Sequence, residues 1–181
     1  MFRYFTKHRI SKFGKRYGYD VGYMLHMLET TPDVMNAFNA LSKLAGYRRQ
    51  TPVEAHVAAN LLGALTEDCG PCVQLTVHMA RDSGMASDQI EAVLTGDQAA
   101  MAADTALGYR FASAIIARST DEDAAREAVR STYGDAAVIE LTLACQVVRV
   151  FPMVKAGLGY GKSCSRIDVG ERQITLAKEA A

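Results

Sequence analysis

Apolar residues along the chain recur at spacings of three and four, and no run alternates cleanly with period two. That spacing puts them on one face of successive helices rather than on a pleated strand. Start and stop residues divide the pattern. Thr31-Pro32-Asp33 opens a segment to about Gly46, with proline in the first helical turn. Thr51-Pro52-Val53-Glu54 reads as a proline start and a capping box for a helix to about Leu65. Asp68 is placed to cap a helix from Cys69 to Arg81, stopped by Gly84. Ser87 caps a short helix through Leu94, ended by Gly96, and residues 99–118 form a longer one. Ser119 and Glu122 make a second capping box, for a helix ending near Gly134. Asp135 caps Ala136–Phe151, apolar on nearly every side and therefore a central buried helix, which Pro152 is expected to kink or end. The tail, with Gly157, Gly159 and Gly161, reads as loop followed by a frayed C-terminal helix. No linker, repeat or low-complexity tract interrupts the chain. The expected fold is an all-α, single-domain helical bundle: residues 1–46 as an N-terminal arm with flanking helices, 47–158 as the core and 159–181 as a tail. Met24, Met27 and Met35 fall at core-filling positions.

Composition adds bounds. With 181 residues, 49% of them apolar, the chain can bury a real core. Lys+Arg and Asp+Glu are 20 each, which speaks against a uniformly basic nucleic-acid binder and against an acidic disordered chain. The balance is uneven. Arg3, Lys7, Arg9, Lys12, Lys15 and Arg16 precede the first acid, Asp20, and interleave with Phe2, Tyr4, Phe5, Ile10, Phe13 and Tyr17. Such a segment either lies on an anionic membrane or packs as an arm on the body or a neighbouring subunit. The neutral total favours packing. No uninterrupted apolar run reaches the ~18 residues of a spanning helix, and no secretory h-region stands at the N-terminus, so a reducing cytoplasm is the expected compartment.

In that compartment the four cysteines acquire meaning, because Cys69-Gly70-Pro71-Cys72 is a Cys-x-x-Cys. Residues three apart on a helix share a face. In the first turn their thiols feel unpaired N–H groups and the positive end of the helix dipole, which favours thiolate. Pro71 has no N–H to waste there, Gly70 leaves the sulfurs accessible, and the flank Thr66-Glu67-Asp68 is polar, against burial. Three readings stay open: a redox dithiol, two ligands of a zinc site completed by Cys145, Cys164 or a histidine, and inert buried cysteines. Thioredoxins carry the same tetrapeptide after a strand, usually with a tryptophan before it; this chain has no tryptophan and no strand pattern there.

The stretch TEDCGPCVQLTVHMARDSGMASDQIEAVLTGD, residues 66–97, resembles the alkylhydroperoxidase D-like, carboxymuconolactone decarboxylase superfamily. The resemblance rests on a Cys-x-x-Cys opening a helix that ends Ala80-Arg81-Asp82-Ser83-Gly84, then a short acidic helix. With ALGYRFASAIIARS and GDAAVIELTLACQVVRVFP downstream it spans about residues 50–157. It implies an all-α fold, a homo-oligomer, Cys69 and Cys72 as catalytic residues, and reduction of peroxides or disulfides without a bound cofactor, reset by an external dithiol. It also implies Cys72 as the attacking cysteine, whereas the helix dipole alone favours Cys69. Two family positions differ. The histidine four residues after the second cysteine is Thr76, and the glutamate about twelve before the first is Val57. His78 does not substitute simply, being rotated by roughly 200° from Thr76. Glu54, His56 and Glu67 are the nearby groups with proton-transfer chemistry, although Glu54 is accounted for as a cap.

Two other functions are weighed: a decarboxylase-like lyase acting on a small lactone acid, and a non-enzymatic module docking through the basic arm. Cys145 reads as a core hydrophobe and Cys164 as an exposed tail thiol. Glu140 and Arg149 are charges in the apolar helix, expected at its solvent edge or at a subunit interface. His8 and His26 have no motif context, and no phosphate loop, hydrolase triad or nucleotide fingerprint occurs.

Overall fold

The computed structural model describes residues 2–161, 166–170 and 172–176. In these residues the chain forms α1 (Phe2–Tyr17), α2 (Gly22–Thr30), α3 (Val34–Ala45), α4 (Val53–Leu65), α5 (Gly70–Asp82), α6 (Ser87–Thr95), α7 (Ala103–Ala117), α8 (Glu122–Tyr133) and α9 (Asp135–Gly157). An antiparallel hairpin, β1 (Arg166–Val169) and β2 (Arg172–Thr175), follows. The fold is an all-α bundle with this small appendage.

Small side chains explain why α4 sits at the centre. Ala55, Ala58, Ala59, Gly63 and Ala64 are all buried on it. A Cβ at Gly108 of α7 would run into the carbonyl of Ala55, and one at Gly63 into the carbonyl of Cys145 on α9. Both neighbours therefore pack against α4 backbone to backbone, as only glycine allows. Phe111, Val129, Leu141 and Ala144 close one side of this layer. Val73, Val77, Ile90 and Val93 of α5 and α6 close another, with Ile167, Val169 and Ile174 of the hairpin. A third cluster joins the first three helices to the starts and ends of α5 and α9, through Ile10, Leu28, Met35, Phe38, Cys69 and Cys72, with Phe151 against them.

Several expectations change. Thr51 and Glu54 do not form a capping box: Pro52 is the N-cap of α4 without a side-chain bond, and the Thr51 hydroxyl goes to Glu140 instead. Asp68 does not cap α5; it adopts a left-handed backbone (φ 43°) and Cys69 takes the N-cap. Ala86, Asp121 and Gly134 stand at the caps assigned to Ser87, Ser119 and Asp135. Glu140 reaches neither solvent nor an interface but is buried (1% exposed). Its carboxylate accepts the N–H groups of Arg49, Gln50 and Thr51. The chain before α4 thus satisfies its free donors on a buried charge.

Pro152 does not end α9, which continues to Gly157. An internal proline costs about 3 kcal/mol, and the helix past it is held by the packing of Val154 and the burial of Lys155 against the N-terminal helices. By length and composition α9 is apolar enough to cross a membrane, with a mean hydropathy of 1.7 over its window. Here it packs against α3, α4, α7 and α8.

The tail does not read as predicted either. In place of loop and frayed helix, residues 166–169 pair with 172–175, with Ile167 opposite Ile174 across the turn at Gly170 (φ 65°). Cys164 lies outside the described residues. At the other end, α1 is an arm packed on the body. Ile10 is buried, Lys7 pairs with Glu29 at 3.2 Å, and Arg16 and Tyr17 both reach Asp82 of α5, at 2.7 and 2.8 Å.

Candidate functional site

Backbone geometry brings the two cysteines together. Thr66 closes α4 by returning its hydroxyl to the Gly63 carbonyl at 2.8 Å, and the left-handed Asp68 then turns the chain into α5. Cys69 caps that helix, and its carbonyl accepts the N–H groups of Cys72 (2.8 Å) and Val73 (3.0 Å). Cys69 and Cys72 are disulfide-bonded, their Cα atoms 5.2 Å apart. The expectation of accessible sulfurs is corrected: the cysteines are only 4% and 5% exposed. The polar flank faces outward while Tyr19, Tyr23, Phe38 and Phe151 cover the pair in a common cluster. Glu67, next in line as a base, is engaged by Arg149 at 2.6 Å.

Access is instead from within. A cavity of about 480 Å³ opens beside Cys72 and not Cys69. Its walls are mostly apolar: Phe13, Phe38, Leu75, Val148 and Phe151, with Met79 (47% exposed) and the exposed Ser42, Arg48 and Ser83 at the rim. Val57 and Thr76, the two positions where the resemblance expects an acid and a histidine, line this same cavity. Neither carries a titrating group, and the Thr76 hydroxyl is turned back onto the Cys72 carbonyl at 3.0 Å.

His56 lines the cavity too, buried at 6% exposed, with Nε2 lacking a hydrogen-bond partner. Its Nδ1 lies 3.5 Å from the Asn60 amide. Burial, then the Arg48 guanidinium, hold its pKa below the ordinary histidine value, against the Glu140 carboxylate and the Tyr47 carbonyl. Glu54 lies in the first turn of α4 but not on the cavity wall. His78 faces away from the thiols. It bonds Gln74 at 3.0 Å, stacks on Tyr17, and borders a surface groove with Arg16, Arg81 and Asp82. His26 contacts Tyr160 at 3.1 Å, and His8 is exposed.

The groups that do surround Cys72 come from parts of the sequence without a motif. Gly18 ends α1 in a left-handed turn (φ 59°), and the Tyr19 N–H returns to the Gly14 carbonyl at 2.9 Å, a Schellman closure. That closure aims the Tyr19 side chain inward. Its hydroxyl lies 3.6 Å from Cys72 Sγ. A disulfide sulfur carries no proton, so the phenol is the donor. Tyr23, in the first turn of α2, packs edge-on against the Tyr19 ring, centroids 6.4 Å apart. Burial raises the pKa of both phenols, so both remain protonated donors. Lys155, 1% exposed, places its ammonium 4.5 Å from the Tyr19 ring centroid and 5.8 Å from that of Tyr23. Lys155 was detectable as a third charge in the apolar helix beside Glu140 and Arg149; the tyrosines carried no signal beyond their glycine-rich turn.

Cys145 is buried, its thiol pushed up to about 12 by burial, in keeping with a packing role. Among the described residues no group of three or more His, Cys, Asp or Glu side chains is placed to hold a metal ion. The chain matches no family model, no curated protein and no solved structure.

Proposed function

We propose that this chain is a thiol–disulfide oxidoreductase whose working pair is Cys69 and Cys72, reducing peroxides or disulfides. The observation carrying it is that a bonded cysteine pair at a helix N-terminus presents one of its sulfurs, Cys72, to a cavity. In the reduced protein, the Cys72 thiolate attacks a peroxide oxygen, releasing an alcohol and leaving a sulfenic acid. Cys69 then attacks that sulfur, water leaves, and the Cys69–Cys72 bond forms. With a disulfide substrate, attack forms a mixed disulfide and releases one thiol; closure by Cys69 releases the second. Either way two electrons and two protons leave the dithiol, and an external dithiol returns them. The cavity supports Cys72 as the attacking sulfur, in line with the resemblance and against the dipole argument.

Thiol trapping followed by mass spectrometry tests this. Protein reduced with dithiothreitol should form the Cys69–Cys72 bond on adding one equivalent of an organic hydroperoxide or a small disulfide, with alcohol or thiol released one for one. Cys72→Ser should abolish turnover. A pair that stays reduced, or turnover that survives Cys72→Ser, overturns the proposal.

A further inference from the structure

Resting on that reading, a second question is what serves the reactive sulfur, since Val57 and Thr76 stand where the resemblance expects the acid and the histidine, and α4 offers the cavity His56 instead. We propose that Tyr19 is a catalytic residue: its hydroxyl donates to Cys72 Sγ, holding the thiolate in the reduced protein and supplying the proton to the leaving oxygen or sulfur, with Tyr23 as the positioning residue behind it.

Four observations converge. The phenol is the polar group on Cys72 Sγ, at 3.6 Å in a buried setting. Tyr23 packs edge-on against Tyr19 with ring centroids 6.4 Å apart, and Phe13 does so at 6.2 Å, so the Tyr19 ring is held in place. The Lys155 ammonium over the Tyr19 ring draws electron density from it, which strengthens the O–H as a donor. And Thr76, the hydroxyl next to Cys72 on its own helix, is committed to a backbone carbonyl.

The proton path follows from this order. When Cys72 attacks, the departing alkoxide or thiolate takes the Tyr19 proton, and the phenolate is made good from solvent through the cavity mouth. Closure by Cys69 releases the proton of its own thiol. The device replaces a relay read along one helix with one delivered by the N-terminal segment. The other charged or titratable groups nearby are His56 and Arg48 in the cavity lining, Lys155 over the Tyr19 ring, Asp20 beside Tyr19, and the Glu67–Arg149 pair before Cys69.

The test reads the thiolate directly and needs no substrate. In the reduced Cys69→Ser protein, iodoacetamide alkylation of Cys72 is followed against pH, with and without Tyr19→Phe. Phenylalanine keeps the ring against Phe13 and Lys155 and removes only the hydroxyl. The half-alkylation pH should rise by about one unit, a roughly tenfold slower reaction near neutral pH. Tyr23→Leu, which removes the ring packed against Tyr19, should move it the same way by less. An unchanged profile in Tyr19→Phe, with circular dichroism and Tm as in the parent, overturns the proposal while leaving pair cycling untouched. A parent half-alkylation pH at or above the free-thiol value of about 8.5, in a protein whose pair also fails to oxidise, overturns the oxidoreductase reading and this proposal together.

Discussion

The hydroxyl of Thr51 donates to the buried carboxylate of Glu140 at 2.7 Å, tying the loop before α4 to the middle of α9. Three backbone N–H groups converge on the same carboxylate. Burial alone would raise its pKa, but these donors outweigh it and hold the group below the ordinary 4.5. Glu140→Gln turns an NH₂ toward donors and should destabilise the fold by about 3 kcal/mol. A depressed folded pKa gives stability that is present above the unfolded value and lost as pH falls through the folded one. Wild-type Tm should therefore drop below pH 4.5 more steeply than that of Glu140→Gln. Parallel Tm–pH curves for the two would show that the carboxylate is not held this way.

His56 should act in the same direction at higher pH. Its folded pKa is lowered by burial, so below about 6.5 the unfolded chain takes up a proton that the folded chain refuses. Stability is then lost as pH falls from the unfolded value toward the folded one, and no further below it. Proton NMR of the imidazole should show a midpoint under 6.5, and His56→Gln should flatten the Tm–pH curve between about pH 7.5 and 5.5. A normal histidine midpoint would mean that water or a partner satisfies Nε2.

The close approach of α7 to α4 gives a packing prediction. A methyl at Gly108 would meet the backbone of Ala55, which cannot move aside as a side chain does. Gly108→Ala should cost more than the usual gain in helix propensity, a net loss of about 1–3 kcal/mol. Gly157→Ala, with open space around the new methyl, is the control and should be neutral or stabilising. Chemical denaturation of the three proteins decides it; equal midpoints would show that the two helices slide apart freely.

The helices were legible because their apolar spacing and their Gly and Pro punctuation act locally, and each of α3 to α9 lies near its expected place. The caps were not, because Thr51 and Asp68 were claimed by longer-range or backbone demands: a buried carboxylate for one, a left-handed turn for the other. The hairpin was missed although Ile167, Val169 and Ile174 alternate with polar neighbours, because strands of four residues are too short for periodicity to decide. At the site, the Cys-x-x-Cys was visible because its meaning lies in spacing. Tyr19 and Tyr23 were not, since they reach the cysteines from a distant segment, and Lys155 showed only as a further charge in the apolar helix. The sulfurs' burial was likewise hidden, because the cover comes from α1 to α3 and α9.

Gln74 binds the hairpin to the back of the helix that carries the cysteines. Its Oε1 accepts the Asp168 N–H at 2.7 Å and its Nε2 donates to the Asp168 carbonyl at 3.0 Å, so one amide satisfies both polar groups of a β1 residue. Two residues along α5 is about 200° of rotation, which puts Gln74 on the opposite side from Cys72. Gln74→Leu should thus loosen the hairpin by about 1–2 kcal/mol while leaving the cavity side intact. Amide exchange across residues 167–169 and 172–174 should quicken, with Tm little changed because Ile167 and Val169 still pack on α5 and α6. The alkylation profile of reduced Cys72 should match that of the parent. Exchange that stays slow would assign the hairpin's hold to its apolar residues alone; an altered alkylation profile would mean that the two faces of α5 are coupled, so that the hairpin helps to set the reactivity of the cysteine.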